Sequence, residues 1–161
     1  MAKSEKQKLK LLYIIQCLME KTDEEHAVTT QEIIDYLALQ GITAERKSIY
    51  TDIDLLIDFG MDIIKKPGRS GGYTLASRQF ELAELKLLVD AVQSSKFITT
   101  KKSRELIGKL ETLCSKYEAT QLHRQVVVTN RNKAVNENIY YNVDIIYNAI
   151  AENVKIQFQY F

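Results

Sequence analysis

The side chains best suited to ligand chemistry lie in two short segments of the first half of the chain. Residues 43–51 combine two cationic side chains, Arg46 and Lys47, with several hydroxyl groups. Guanidinium and ammonium groups donate to guanine edges and to phosphates, and hydroxyl groups bind phosphates. Residues 63–75 carry three cationic side chains around a glycine-rich turn. Both segments therefore favour contact with a nucleic acid.

The spacing of apolar residues predicts two helices before the first of these segments. Between residues 11 and 19, apolar side chains recur at steps of three and four, after a capping-box spacing at residues 4–7. Thr29 and Glu32 repeat the capping-box spacing and open a second helix, which Gly41 ends.

A third helix is expected over residues 43–59, with Thr43 as its N-cap. The short connection to the second helix is typical of a helix-turn-helix. The side chains expected to face inward are Ile49, Ile53, Leu56 and Ile57. The major groove of B-DNA admits one helix, whose N-terminal side chains reach the base edges, so we expect this to be the recognition helix. A solvated helix face would have the same composition, however.

The predicted hairpin favours DNA binding over an ordinary solvated helix face. Residues 63–75 are expected to form two strands with a basic turn, the wing, which can lie along the flanking backbone or enter the minor groove. Lys3, Lys6, Lys8 and Lys10 form a further basic group, either solvated or in contact with DNA. The residues assigned to DNA contact are Thr30, Gln31, Thr43, Glu45, Arg46, Lys47, Ser48, Tyr50, Thr51, Lys65, Lys66, Arg69, Ser70 and Tyr73.

The second half of the chain is predicted to be mainly helical. Residues 77–125 carry two apolar stripes and are expected to be a helical linker that also serves for dimerisation. Residues 126–161 are expected to begin a further domain, with a strand at 126–128, a helix over 139–151 and a strand over 154–161. A lone strand needs a sheet to join, so we expect that the sequence ends within a domain or that this strand pairs with another chain.

The whole chain is therefore expected to be mainly α with a small β component (α+β): a winged helix-turn-helix over residues 1–76, the helical segment, and the first strand of a truncated β domain. Residues 1–75, however, carry 10 Lys and Arg against 12 Asp and Glu, a net charge of −2. DNA binding thus depends on where the positive charges lie.

No apolar stretch is long enough to span a membrane, and the first residues lack the apolar core of a signal peptide, so we expect a cytoplasmic protein.

Catalytic chemistry has little support in the sequence. His26 and His123 have no ligand-spaced neighbours, so neither a metal site nor a catalytic site is expected, and no cofactor. Cys17 and Cys114 are expected to be small core residues. The carboxylates expected to be solvated or capping are Asp52, Asp54 and Asp58. We therefore expect a protein that is not an enzyme.

The first half of the chain resembles the DeoR-like winged-helix region of WYL-domain transcription regulators. The runs that carry the resemblance are Glu45 to Leu56, Gly60 to Ile63 and Pro67 to Leu75. Residues 80–110 are similar to that family's helical middle segment, and residues 140–160 to the entry of its WYL domain. Thr51 stands where the family often has arginine, and the Trp-Tyr-Leu signature is absent. The resemblance implies a bacterial transcription regulator, with any effector bound by a domain beyond residue 161.

A single winged helix-turn-helix makes few DNA contacts. We therefore expect a homodimer on an inverted or direct repeat, formed through the helices between residues 80 and 119. The alternative is a winged-helix module for protein–protein interaction without DNA binding, which the near-neutral charge favours and the basic wing opposes. A regulatory domain of an enzyme would need catalytic sequence beyond residue 161.

Overall fold

The computed structural model of the chain describes residues 7–68, 71–125, 133–136 and 139–159. The elements are α1 (Lys10–Lys21), α2 (Thr30–Leu39), α3 (Arg46–Asp58), β1 (Ile63–Lys66), β2 (Gly72–Leu75), α4 (Leu82–Ser94), α5 (Thr100–Glu111), α6 (Lys116–Gln125) and α7 (Ile139–Ala151). The fold is mainly helical with one small antiparallel sheet, which confirms the predicted α+β class. Within the described ranges, no helix has both the length and the apolar character needed to cross a membrane.

The first three helices and the hairpin pack around one hydrophobic core, and we call this unit the head. Each helix contributes fully buried side chains: Ile14, Cys17 and Leu18 from α1, Ile33 and Leu37 from α2, and Ile49 and Ile53 from α3. The expectation that Ile57 faces inward is wrong, because this residue follows the buried Leu56 by one position. One position is about 100° around a helix, which puts Ile57 at the edge of the buried stripe, where its side chain is 36% exposed.

The connection between α2 and α3 is built on Gly41. α2 begins with the predicted capping box, in which the amide of Glu32 donates to Thr29 Oγ1 and the amide of Thr29 donates to the Glu32 carboxylate. After α2 the φ angle of Gly41 is 73°, a left-handed conformation that favours glycine. The amide of the next residue, Ile42, donates to the carbonyl of Leu37 at 3.0 Å. This is the hydrogen bond of a Schellman motif.

α3 begins later than expected. Its N-cap position belongs to Glu45, and Thr43 lies in the connection, where its carbonyl accepts a hydrogen bond from Gln7 Nε2 at 3.0 Å. The expectation that Thr43 caps the helix is therefore wrong. Ile42 is buried, and three residues separate it from Arg46, the first residue of α3.

The two strands pair antiparallel, with Lys65 opposite Tyr73 and Lys66 opposite Gly72. A single further bridge joins Tyr73 to Val28: the amide of Tyr73 donates to the carbonyl of Val28 at 2.8 Å, and the reverse bond is 3.0 Å long. Val28 directly precedes the N-cap of α2, so this bridge ties the hairpin to the helix-turn-helix. A single paired residue has no periodicity, so the sequence does not predict this bridge.

The helices α4, α5 and α6 pack around a second core within residues 77–125, made by Leu85, Val89, Ile107, Cys114 and Leu122. The apolar spacing of Leu106, Leu110, Leu113 and Tyr117 predicts one helix through Tyr117, but α5 ends at Glu111 and α6 begins at Lys116. The break is a second capping box, because the Glu118 amide donates to Ser115 Oγ and the Ser115 amide donates to the Glu118 carboxylate. The Ser-x-x-Glu spacing was the signal that could have revealed it.

α7 has the predicted bounds, but its apolar face is not buried. The side chains that the apolar spacing places on one face are all exposed, namely Val143, Ile146, Tyr147 and Ile150, whereas Ala149 is buried. Residues 154–159 are not paired as a strand within the described residues, so the strand expected there, which would join a sheet beyond residue 161 or in another chain, stays a prediction. A strand needs a partner, and the described residues offer it none. The strand expected at 126–128 and the capping box at residues 4–7 fall outside the described ranges, the latter except for Gln7.

Candidate nucleic-acid interface

One face of α3 is open to solvent. The exposed residues along it are Arg46, Lys47, Tyr50, Thr51 and Asp54, as the sequence predicted. The spacing of Lys47, Tyr50, Thr51 and Asp54 at three and four residues puts them on the side of the helix away from the buried Ile49 and Ile53. Arg46 lies three residues before Ile49 and is exposed as the first residue of the helix. The two cations lie in the first turn, so the N-terminal half of this face carries positive charge.

The N-terminus of α3 adds to that positive charge. Glu45 is exposed and its side chain gives no capping hydrogen bond, and the first turn of α3 holds no acidic residue. The positive end of a helix dipole attracts phosphates. The N-terminus of α2 lies beside it, because Arg46 Nη2 donates to Gln31 Oε1 at 3.3 Å. Thr30, at the start of α2, is half-buried.

The wing meets the same face through Lys65. Its ammonium group forms an ion pair with the carboxylate of Asp54, and both side chains are more than half exposed. This hydrogen bond is the main cause that raises the pKa of Lys65 above its ordinary value. Asp54 lies two turns, about 10 Å, beyond Lys47 along the helix axis. The structure thus brings Lys65 beside the exposed face of α3.

Lys66 is directed elsewhere. Its Nζ donates at 3.2 Å to the carbonyl of Glu24, in the loop between α1 and α2. Neighbouring side chains of a strand point to opposite faces, so Lys65 and Lys66 cannot both face α3. Of the wing residues predicted to contact DNA, Lys65 lies beside α3 and Lys66 does not. Arg69 and Ser70 fall outside the described ranges.

Two hydroxyl groups that the sequence analysis assigned to DNA are turned inward. Ser48 is half-buried, and its Oγ accepts a hydrogen bond from Lys10 Nζ at 2.6 Å. Tyr73 is 8% exposed and belongs to the core of the head, because all four residues of β2 are buried. Their positions leave little of either side chain for a ligand at the surface.

A partly buried ion pair lies behind α3, and sequence reasoning missed it. Lys10 Nζ lies 2.7 Å from Asp52 Oδ2, with the two side chains 15% and 9% exposed. The expectation that Asp52 is solvated or capping is wrong. Asp52 follows Ile49 by three residues and precedes Leu56 by four, so it lies on the buried stripe of α3. That spacing was the available signal.

A second polar cluster joins the head to the helical segment. Asp23 Oδ2 accepts a hydrogen bond from the buried Ser115 Oγ at 2.6 Å, and His26 Nδ1 lies 2.6 Å from Asp23 Oδ1. The His26 ring stacks on Tyr117 with 3.6 Å between the centroids. Burial acts to raise the pKa of Asp23, but the hydrogen bonds from Ser115 and His26 hold it below its ordinary value. The Ser115 hydroxyl donates to Asp23 and not to the histidine, so this is not the arrangement of an activated nucleophile.

The two cysteines are buried and unpaired. Burial raises the pKa of both thiols to about 11, which suits the predicted core role of Cys17 and Cys114 and keeps them protonated. Among the described residues, no three His, Cys, Asp or Glu side chains converge as a metal site would require.

The order of three helices, a glycine turn before the third, and an antiparallel hairpin defines the head as winged-helix-like. Residues 12–68 match the family model of the FokI D3 domain. The matched stretch contains α2, α3, β1 and most of α1, which is about a third of the chain. Comparison with curated proteins gave no match, and neither did comparison with solved structures.

Proposed function

We propose that this chain is a sequence-specific transcription regulator that binds duplex DNA through the head, with α3 in the major groove and the wing on the flanking backbone. The observation that carries the proposal is the open face of α3, which has Arg46 and Lys47 in its first turn and Lys65 beside its second half. The match of residues 12–68 suggests a DNA-binding domain and is compatible with DNA binding in general.

The charge along α3 favours one orientation on DNA. The helix has 13 residues and is about 20 Å long, whereas the major groove is about 12 Å wide. Its first turn is cationic, and its second half carries the exposed carboxylates of Asp54 and Asp58. Phosphates repel those carboxylates, so the N-terminal half enters the groove and the C-terminal half stays at its edge.

The finer parts of the proposal rest on the sequence. The resemblance of residues 45–75 to WYL-domain regulators supports a bacterial, cytoplasmic regulator that is not an enzyme and that uses no cofactor. Under this proposal any effector binds to a part of the protein other than the head. The outcome for transcription depends on where the operator lies relative to the promoter.

Arg46 and Lys65 are expected to differ in what they contribute. Arg46→Ala removes a donor to base edges, so it weakens binding to the preferred duplex by about 1 to 3 kcal/mol and relaxes preference at particular base pairs. Lys65→Ala removes a phosphate contact, so it weakens binding to all duplexes alike and reduces the salt slope of log K by up to about 0.9. The measurement is fluorescence anisotropy with a duplex selected from a random library by the wild-type protein, and with an unselected duplex.

Lys66→Ala is the matched control, because it removes the same charge from the same strand on the opposite face. It is expected to change binding less than Lys65→Ala does. Equal losses on both duplexes for Arg46→Ala would contradict the role given to the recognition helix.

We also propose that the protein acts as a homodimer, since a head with a net charge of −2 and one recognition helix binds weakly by itself. Much of the apolar surface between residues 80 and 119 is used in the second core. Leu87 and Phe97 nevertheless stay about 70% exposed and can serve an interface. Sedimentation equilibrium is expected to give a dimer at high micromolar concentration. A monomer there would contradict this part of the proposal.

A second candidate function is a protein-interaction module. Exposed apolar side chains at the C-terminal end of α3 favour it, since Leu55 is half exposed and Phe59, the C-cap residue, is 83% exposed. The same anisotropy experiment separates the two candidates. If the wild-type protein binds no duplex even at low salt, the interaction module becomes the better explanation.

A further inference from the structure

We infer that Lys10 is a positioning residue that sets the rotation of α3 through Ser48 and Asp52, and that it does not itself contact DNA. This inference rests on the proposed function, because it concerns which side chains of α3 face the groove. It assigns a role to a lysine that the sequence alone grouped with the basic N-terminal residues.

The geometry is a three-point contact between the first turn of α1 and the inner side of α3. Lys10 Nζ donates to Ser48 Oγ at 2.6 Å and pairs with Asp52 Oδ2 at 2.7 Å. Ser48 Oγ also lies 3.5 Å from Asp52 Oδ2. The two α3 residues are one turn apart, so the ammonium group holds the helix at two successive turns. A second tie, from Gln7 Nε2 to the Thr43 carbonyl at 3.0 Å, holds the chain just before α3.

Rotation of α3 matters because its outer face carries Arg46 and Lys47. Side-chain positions lie about 5 Å from a helix axis, so a rotation of about 20° moves them by about 2 Å. Hydrogen bonds to base edges hold only over a few tenths of an ångström. Apolar packing against Ile49 and Ile53 is not directional, whereas the contacts of Lys10 with Ser48 and Asp52 depend on angle.

The role of Lys10 in orientation can be separated from its role in stability. Removing one partner of a partly buried ion pair leaves the other charge uncompensated, whereas replacing both partners by apolar side chains is often neutral for stability. Lys10→Met with Asp52→Leu therefore removes the directional contacts while keeping the space filled. Such a protein is expected to fold normally, but the rotation of α3 about its axis is expected to be less tightly fixed.

Single variants distinguish positioning from direct DNA contact by the sign of the effect. If Lys10 positions α3, Lys10→Met and Asp52→Asn both lower affinity for the selected duplex at least about tenfold and leave the salt slope unchanged. If Lys10 instead binds a phosphate, Asp52→Asn frees its ammonium group, and binding to all duplexes tightens with a salt slope steeper by about 0.9. That result would overturn the inference.

The experiment uses the full chain with the selected and unselected duplexes. Lys8→Met is the matched control, because Lys8 is exposed two residues earlier and its loss leaves the ties to α3 intact. The double variant is expected to unfold in urea at the wild-type midpoint and still to bind the selected duplex about tenfold more weakly. If it regains both stability and specific affinity, the pair is only structural and the inference is wrong.

A readout without DNA keeps the inference separate from the proposed function. Amide hydrogen exchange over residues 48–53 is expected to be at least about tenfold faster in the double variant than in the wild type, at equal global stability. Unchanged exchange there would contradict the inference. A wild-type protein that binds no duplex would instead overturn the proposed function, while the exchange result would still report whether Lys10 holds α3.

Discussion

At the scale of single residues, Asp54 controls the positive charge that the wing can offer to a phosphate. Its carboxylate is paired with the ammonium group of Lys65, and both groups are exposed. Exposed ion pairs contribute little to stability because water screens the two charges, so this pair holds the lysine only weakly. A phosphate must nevertheless compete with the carboxylate for the same ammonium group.

Replacing Asp54 by Asn is therefore expected to tighten binding to every duplex. The salt slope of log K should steepen by that part of about 0.9 that the pairing with Asp54 withholds from Lys65 in the wild type. Anisotropy titrations between about 50 and 200 mM salt measure both quantities. Asp58→Asn changes the net charge equally, one turn further along α3, and is expected to have the smaller effect. If both variants behave alike, net charge and not the pairing of Lys65 is the cause.

At the scale of elements, the ends of the helices depend on backbone conformation more than on contacts. α3 ends in front of Gly60, whose φ angle is 106°, and the amide of Met61 donates to the carbonyl of Leu56. Gly108 lies inside α5 with an ordinary helical backbone. A Cβ atom added at either glycine would meet no atom within 4 Å. The two positions therefore differ in dihedral angle and not in available space.

The same substitution should have opposite effects at these two glycines. Gly108→Ala is expected to stabilise the protein by about 1 kcal/mol, because alanine has the higher helix propensity. Gly60→Ala is expected to destabilise it by about 1 kcal/mol or more, because an L side chain is strained at positive φ. Urea unfolding followed by circular dichroism measures both values. Destabilisation by Gly108→Ala would mean that α5 is constrained at this position by something other than propensity.

At the scale of the whole molecule, a small set of polar contacts joins the head to the helical segment. Arg78 Nη2 donates to the carbonyl of Met19 at 2.9 Å and also to the carbonyl of Thr22, at the end of α1. Asp23 and Ser115, 92 residues apart, form a buried hydrogen bond, and His26 stacks on Tyr117. The loop after α1 is thereby attached to the start of α6.

Asp23 makes the stability of this junction depend on pH. The pKa of Asp23 is lower in the folded state than in the unfolded state, where it is about 4. The ionised carboxylate therefore stabilises the fold at pH values above the unfolded-state pKa. This stabilisation is lost as the pH falls through the folded-state pKa. Asp23→Asn is expected to cost about 1 to 2 kcal/mol at pH 7, and the difference from wild type should shrink at pH 3. Urea unfolding at the two pH values measures it, with the exposed Asp58→Asn as control. A difference that is equal at both pH values would contradict this account.

The sequence by itself determined the local elements of the head. The apolar steps of α1 to α3, the capping box of Thr29 and Glu32, and the stop at Gly41 all follow from interactions within a few residues. The exposed position of Lys47 follows from the same helical period, whereas Arg46 is exposed because it is the first residue of α3. The Ser115 capping box was equally local, but the continued apolar spacing concealed it.

Only the tertiary structure decided which side chains are left for a ligand. Lys10 and Ser48 are 38 residues apart, and nothing near either of them in the sequence indicates that they meet. The divergence of Lys65 and Lys66 towards Asp54 and Glu24 depends likewise on how the hairpin packs. The apolar spacing of α7 predicts a helix but not a surface to cover it. The physical reason is that burial, and with it the strength of charge pairing, arises only when distant elements pack together.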